Sequence, residues 1–130
     1  MEIQKQSDGY KQKSLGAFFM GRKEVELFIT DGADGSFYTS PERGKLPRIK
    51  VGMQAEWRHV VMVLIHEAAE ATMDDMYLRF APSHAMSQDH ADYLFSFNHP
   101  QFSEICARVA DFLTPVLPLV AAEWKRWPKK

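Results

Sequence analysis

The spacing of apolar residues changes once along this chain, near residue 55, and that change constrains the fold more than any other feature. Before it, Lys23–Thr30 alternates Val25, Leu27 and Ile29 against Glu24, Glu26 and Phe28, the two-residue period of a half-buried strand. After it, Val60, Val61, Leu64, Ile65, Ala68, Ala69, Thr72 and Met76 recur at spacings of three and four, which predicts one amphipathic helix over residues 55–80. Strands first and helices afterwards is the order of an α+β domain, with the helices packed on the sheet.

Around the first strand the signals are local. Asp31, Gly32, Asp34 and Gly35 make a turn, and residues 36–40 are expected to pair back as a hairpin strand. Residues 41–47 read as a loop between two prolines, and 48–51 resume the alternation. The first 53 residues thus suggest a small antiparallel sheet or meander. Residues 10–20 fit either an opening strand or a short helical turn, and the polar residues 1–9 are expected to be loose.

Beyond the long helix, Pro82 acts as a stop signal. Ser87 is placed to cap a short helix running to Phe95, with Ala91 and Leu94 facing inward. His99-Pro100 restarts the chain, with His99 as the N-cap and proline suiting the first helical position. Phe102, Ile105, Val109, Phe112 and Leu113 define the inner face of a last long helix, which Pro115 and Pro118 are expected to interrupt before a short one holding Val120 and Trp124.

Composition removes several function classes. With 45% hydrophobic and 25% charged residues in 130, the chain has the means to build one domain core, so disorder throughout is excluded. A formal charge of −1 argues against a protein built to grip nucleic acid. Cys106 is the one cysteine, so no internal disulfide forms, and its apolar neighbours suggest a buried thiol. The N-terminus lacks the apolar core of a secretory signal, and no apolar run approaches the ~20 residues that span a bilayer, so a cytoplasmic location is expected. The basic aromatic end, Trp124 to Lys130, reads as a solvated terminus, and Asp74 and Asp75 as solvated carboxylates.

The charges are unevenly distributed. Residues 51–110 hold 8 carboxylates against 3 basic side chains, a net of −5, and all five histidines: His59, His66, His84, His90 and His99. Imidazole and carboxylate together are the ligand set of borderline metals such as zinc. Within this segment stands His66-Glu67-Ala68-Ala69-Glu70. On a helix, His66 and Glu70 lie four residues apart on one face and can bind one cation together. Glu67, about 100° round the helix from His66, can reach a water beside the cation without being a ligand. A third ligand has to come from elsewhere. His99 is the first choice, and His90 with Asp89 and Asp92 is the rival. His84 sits in an expected loop. His59 lies about 10 Å along the helix from His66, suited to a surface or supporting role.

Strands, then an apolar helix carrying His66-Glu67-x-x-Glu70-Ala71, then a histidine some thirty residues on with Phe102 behind it, resemble the small zincin-like metallopeptidases encoded in phage and prophage genomes. The resemblance spans roughly residues 46–112. It implies a minimal zincin-like α+β fold, zinc held by His66, Glu70 and His99, Glu67 as general base, and a peptide or protein substrate. Most zinc peptidases carry histidine where this chain has Glu70. Two function classes follow: a zinc-dependent, peptidase-like hydrolase, or an inactive zincin-shaped interaction protein, phage-derived, that kept the fold without turnover.

Overall fold

The computed structural model describes residues 4–5, 11–39, 44–80 and 94–130. Strands β1 (Gln4–Lys5), β2 (Lys11–Met20), β3 (Lys23–Thr30), β4 (Gly35–Tyr38) and β5 (Arg48–Gly52) come first. Helix α1 (Trp57–Asp75), a ribbon of β6 (Arg79–Phe80) and β7 (Leu94–Phe95), and helix α2 (His99–Arg126) follow. The fold is α+β, in the order the apolar spacing implies. Apart from β1, the expectation for residues 1–9 lies outside the described residues, as do Pro82, Ser87, Ala91, His84 and His90.

The first five strands form one sheet in the order β1-β2-β3-β5-β4. The ambiguous residues 11–20 are strand, bulged between Ser14 and Gly16, where Gly16 takes φ 104. The expected meander needs correcting at β4. That strand does not pair back on β3; β5 lies between them, parallel to β3 and antiparallel to β4. The Asp31–Asp34 segment is therefore no hairpin turn. It bridges two strand spacings, roughly 9–10 Å, over the end of β5. Its carbonyls and that of Thr30 accept from the strand's exit: Gly52 N–H donates to Asp34, Met53 to Thr30 and Gln54 to Gly32. A Cβ on Gly52 would fall into the Gly32 carbonyl, so only glycine admits this crossing.

One face of the sheet carries the core. Val25, Leu27, Ile29, Ile49 and Val51 are fully buried against Val60, Leu64 and Ala68 of α1 and Phe112, Val116 and Val120 of α2. On the other face, Arg48 and Lys50 lie over the Tyr38 ring. α1 is shorter than residues 55–80 because Tyr77 takes φ 59. Tyr77 N–H donates to the Asp74 carbonyl and Leu78 N–H to that of Met73, a left-handed cap that turns the chain into β6. The buried stripe of α1 also differs from expectation. Val63 and Glu67 face inward, whereas Ile65 is exposed.

α2 corrects three further expectations. Asn98, not His99, is its N-cap, in a reciprocal capping box with Gln101. Leu94 and Phe95 do not end a helix; they pair with Phe80 and Arg79 as exposed strand residues. Pro115 and Pro118 do not break α2. Both are exposed, where carbonyls deprived of N–H partners can meet water, while Phe112, Val116 and Val120 on the opposite side hold the axis to the core. The result is one 28-residue helix whose most apolar 18-residue stretch, at a mean hydropathy of 1.6, is long and apolar enough to cross a bilayer, which the interrupted reading excluded. Cys106 points away from the Ile105–Phe112 stripe and is exposed.

Nor is the C-terminus simply solvated. Trp127 is buried, and its indole donates to Asp31 at 3.0 Å. Gln54 donates to the same Asp31 oxygen at 2.7 Å, and the Lys130 ammonium lies 3.2 Å from its partner oxygen. Trp124 donates to the Ala55 carbonyl, and Lys129 to that of Met53. Asp31 thus fastens the end of the chain to the crossing segment. The Trp127, Gln54 and Lys130 donors hold its carboxyl down at about 2, against an ordinary 3.8.

Two outcomes follow from these contacts. Gly52→Ala should destabilise the fold by about 1–3 kcal/mol, the usual cost of overpacking, seen as a lower urea midpoint with unchanged slope. Because the folded pKa of Asp31 is depressed, its contribution is present above about pH 3.8 and is lost as pH falls toward 2. Asp31→Asn should therefore be less stable than the parent at pH 6, with the gap closing between about pH 4 and pH 2 in denaturation curves recorded across that range.

Candidate metal centre

In α1 the inward positions Val60, Val63, Leu64, Ala68, Ala71 and Thr72 form the stripe that packs on the sheet, and Glu67 stands among them. β4 makes room beneath it. At Gly35 a Cβ would strike Val63 and the Lys50 carbonyl and would lie 3.6 Å from Glu67 Cγ, so the bare backbone of β4 passes directly under the helix. Glu67 is left 8% exposed. Burial pushes its carboxyl pKa up; the His66 imidazole opposes the shift and the Glu70 carboxylate adds to it.

His66 and Glu70 lie one turn apart on the more open side. His66 Nε2 is 3.3 Å from Glu70 Oε2 and 4.0 Å from Glu67 Oε1. Donor atoms of His66, Glu67 and Glu70 all lie within 4.8 Å of one another, the one such group among the described residues. Zinc bonds of about 2.0–2.2 Å in a tetrahedron put neighbouring donors about 3.3–3.6 Å apart. The His66–Glu70 separation fits that edge. The Glu67 oxygen, 4.0 Å from His66 Nε2, stands beyond it.

Glu70 has a second partner. Its Oε1 accepts from Arg79 Nη1 at 3.0 Å, while Arg79 Nη2 lies 3.0 Å from Asp74 Oδ1. Asp75 pairs with Arg108 at 2.9 Å and Lys23 at 3.7 Å, so neither aspartate is merely solvated. Arg79 also borders a cavity of about 580 Å³ shared with Phe37, Thr39, Ala71 and Asp74. On the other side of the cluster, Glu67 and His66 line a pocket of about 180 Å³ with Asp34, Gly35, His59, Met62 and Val63. His59 Nε2 lies there 3.3 Å from Asp34 Oδ1, a pair open to solvent.

Of the expected ligands, the structure brings His66 and Glu70 together with Glu67. His99 is the exposed first residue of α2 and is not in the group; His90, Asp89 and Asp92 lie outside the described residues. Arg79 and Gly35 went unnoticed in the sequence. Gly35 carried a faint signal, a glycine at the start of a strand, whereas nothing local ties Arg79 to a carboxylate nine residues earlier. Comparison with protein-family models, curated proteins and solved structures finds no match for this chain.

The raised Glu67 pKa has a thermodynamic signature. A carboxyl whose folded pKa lies above its unfolded value of about 4.5 favours folding below that pH and loses this contribution as pH rises through the folded pKa. Glu67→Gln should therefore gain stability over the parent as pH rises from 4 to 8 in metal-free buffer, with little difference at pH 4. Urea denaturation at stepped pH measures the trend; a constant difference would show that Glu67 is not desolvated.

Proposed function

We propose that this protein is a zinc-dependent, peptidase-like hydrolase in which His66 and Glu70 hold the metal and Glu67 is the general base. The observation that carries the reading is a buried carboxylate facing a pocket beside a His–Glu pair spaced like zinc ligands. When bound there, zinc supplies Lewis acidity toward a carbonyl and makes a neighbouring water more acidic. Glu67, with its proton affinity raised by burial, takes the proton from that water and passes it to the leaving amine. Resemblance implies a peptide or protein substrate and gives His99 as the third ligand, but His99 stands outside the cluster. Phe112, Val116 and Val120 of α2 pack in the core, while 22% of that helix's most apolar stretch is buried.

The second reading, a zincin-shaped interaction protein without turnover, draws on two observations. Arg79 neutralises Glu70 without any metal, and Leu94, Phe95, Phe97 and Phe102 expose a cluster of large apolar side chains near the start of α2.

Zinc affinity and hydrolysis of a mixed peptide library separate the roles. His66→Ala and Glu70→Ala should each weaken zinc binding by more than the 10–100-fold typical of outer-shell changes. Glu67→Gln should keep zinc while losing roughly 10²–10⁴-fold in turnover. Glu70→His should bind zinc more tightly. If Glu67→Gln loses zinc as completely as His66→Ala in a folded protein, Glu67 is a ligand and not the base. If the parent holds zinc and cleaves nothing, the second reading stands.

A further inference from the structure

We propose that Arg79 sets the metal preference of the site, by making Glu70 a one-oxygen ligand and so favouring zinc over manganese(II). This rests on the metal-binding reading above.

Arg79 reaches α1 from a separate element. Its strand β6 is paired with β7, Arg79 opposite Phe95, and follows directly on Leu78, whose N–H donates to the Met73 carbonyl, so the side chain folds back along α1 from just past the helix cap. The guanidinium then spans one helical turn, with Nη1 on Glu70 Oε1 and Nη2 on Asp74 Oδ1, both at 3.0 Å. The contact is not a loose surface pair: the Arg79 and Glu70 side chains are 16% and 20% exposed. A planar fork with two donors on two carboxylates fixes the orientation of both, which a lysine ammonium cannot reproduce.

The consequence falls on the Glu70 carboxylate. With Oε1 engaged by Arg79, only Oε2 faces His66 Nε2, at 3.3 Å. A four-coordinate ion needs one oxygen from such a ligand, and zinc takes that geometry readily. Manganese prefers six ligands rich in oxygen, and a carboxylate offering both oxygens helps to fill them. Arg79 withholds the second. Its positive charge also disfavours every divalent cation nearby, but equally for two ions of the same charge, so charge alone cancels in the ratio of their affinities. Orientation does not cancel.

The ratio is therefore the quantity to measure. Dissociation constants for Zn²⁺ and Mn²⁺ would be obtained by chelator competition for the parent, Arg79→Met and Arg79→Lys, with circular dichroism confirming the fold. In Arg79→Met the preference for zinc should fall by about tenfold, the lower range for outer-shell changes. Arg79→Lys, which keeps the charge and loses the fork, should shift the ratio in the same direction and by a comparable amount. A ratio unchanged in both folded variants, with the parent still binding zinc, overturns the role of Arg79 and leaves the metal site standing. A shift in Arg79→Met that Arg79→Lys fully restores also overturns it, because charge would then suffice. A parent that binds neither ion overturns the metal reading and this inference with it.

Discussion

Placing the Glu67 carboxylate in the buried stripe of α1 is the constraint on which the rest of the site depends. Among the described residues its nearest basic side chain is the His66 imidazole at 4.0 Å, and burial works against ionisation. An apolar residue at this position would pack on the sheet without that penalty. The bare backbone at Gly35 lets Val63 of α1 sit close on β4, and Val63 and Met62 line the pocket beside the carboxylate. Local rules broken at a site the surrounding fold accommodates are the usual mark of function.

The scaffold that holds this helix is tied at the end of the sheet where β3 and β5 exit. β5 carries Ile49 and Val51 into the middle of the core, and its exit is pinned by the crossing segment through Gly52, Met53 and Gln54. Asp31 then joins that segment to Trp127 and Lys130 at the end of the chain. α2 leads into this anchor at its C-terminal end, its inner residues buried although two prolines interrupt its hydrogen-bond ladder. The pocket in front of Glu67 is bounded by the same crossing segment at Asp34, so the fastening of the chain's end and the shape of the site share one loop.

Fold class and the core of the site were legible in the sequence for simple reasons. A period of two followed by one of three and four reports elements directly, and a His-Glu-x-x-Glu spacing fixes which side chains share a helical turn. The face of the helix was less legible. Val61 and Ile65 are as apolar as Val63, so periodicity alone placed the inward stripe about one residue away and left Glu67 outside it. The insertion of β5 between β3 and β4 was hidden because two glycines and two aspartates suit a hairpin turn and a crossing equally well. Pro115 and Pro118 misled for the opposite reason: local propensity was read correctly, and burial of Phe112, Val116 and Val120 outweighed it. Arg79 had no local signal, since its partner is set by where β6 returns to α1.

The central claim is that this helix turn is a zinc site. Its most direct test is the metal content of the full chain purified without a metal-affinity tag, followed by zinc titration and X-ray absorption spectroscopy of the loaded protein. The account predicts one zinc per chain, with a nitrogen and oxygen shell at about 2.0–2.2 Å and the outer scattering of at least one imidazole. A chain that retains no zinc and takes up none on titration would contradict it.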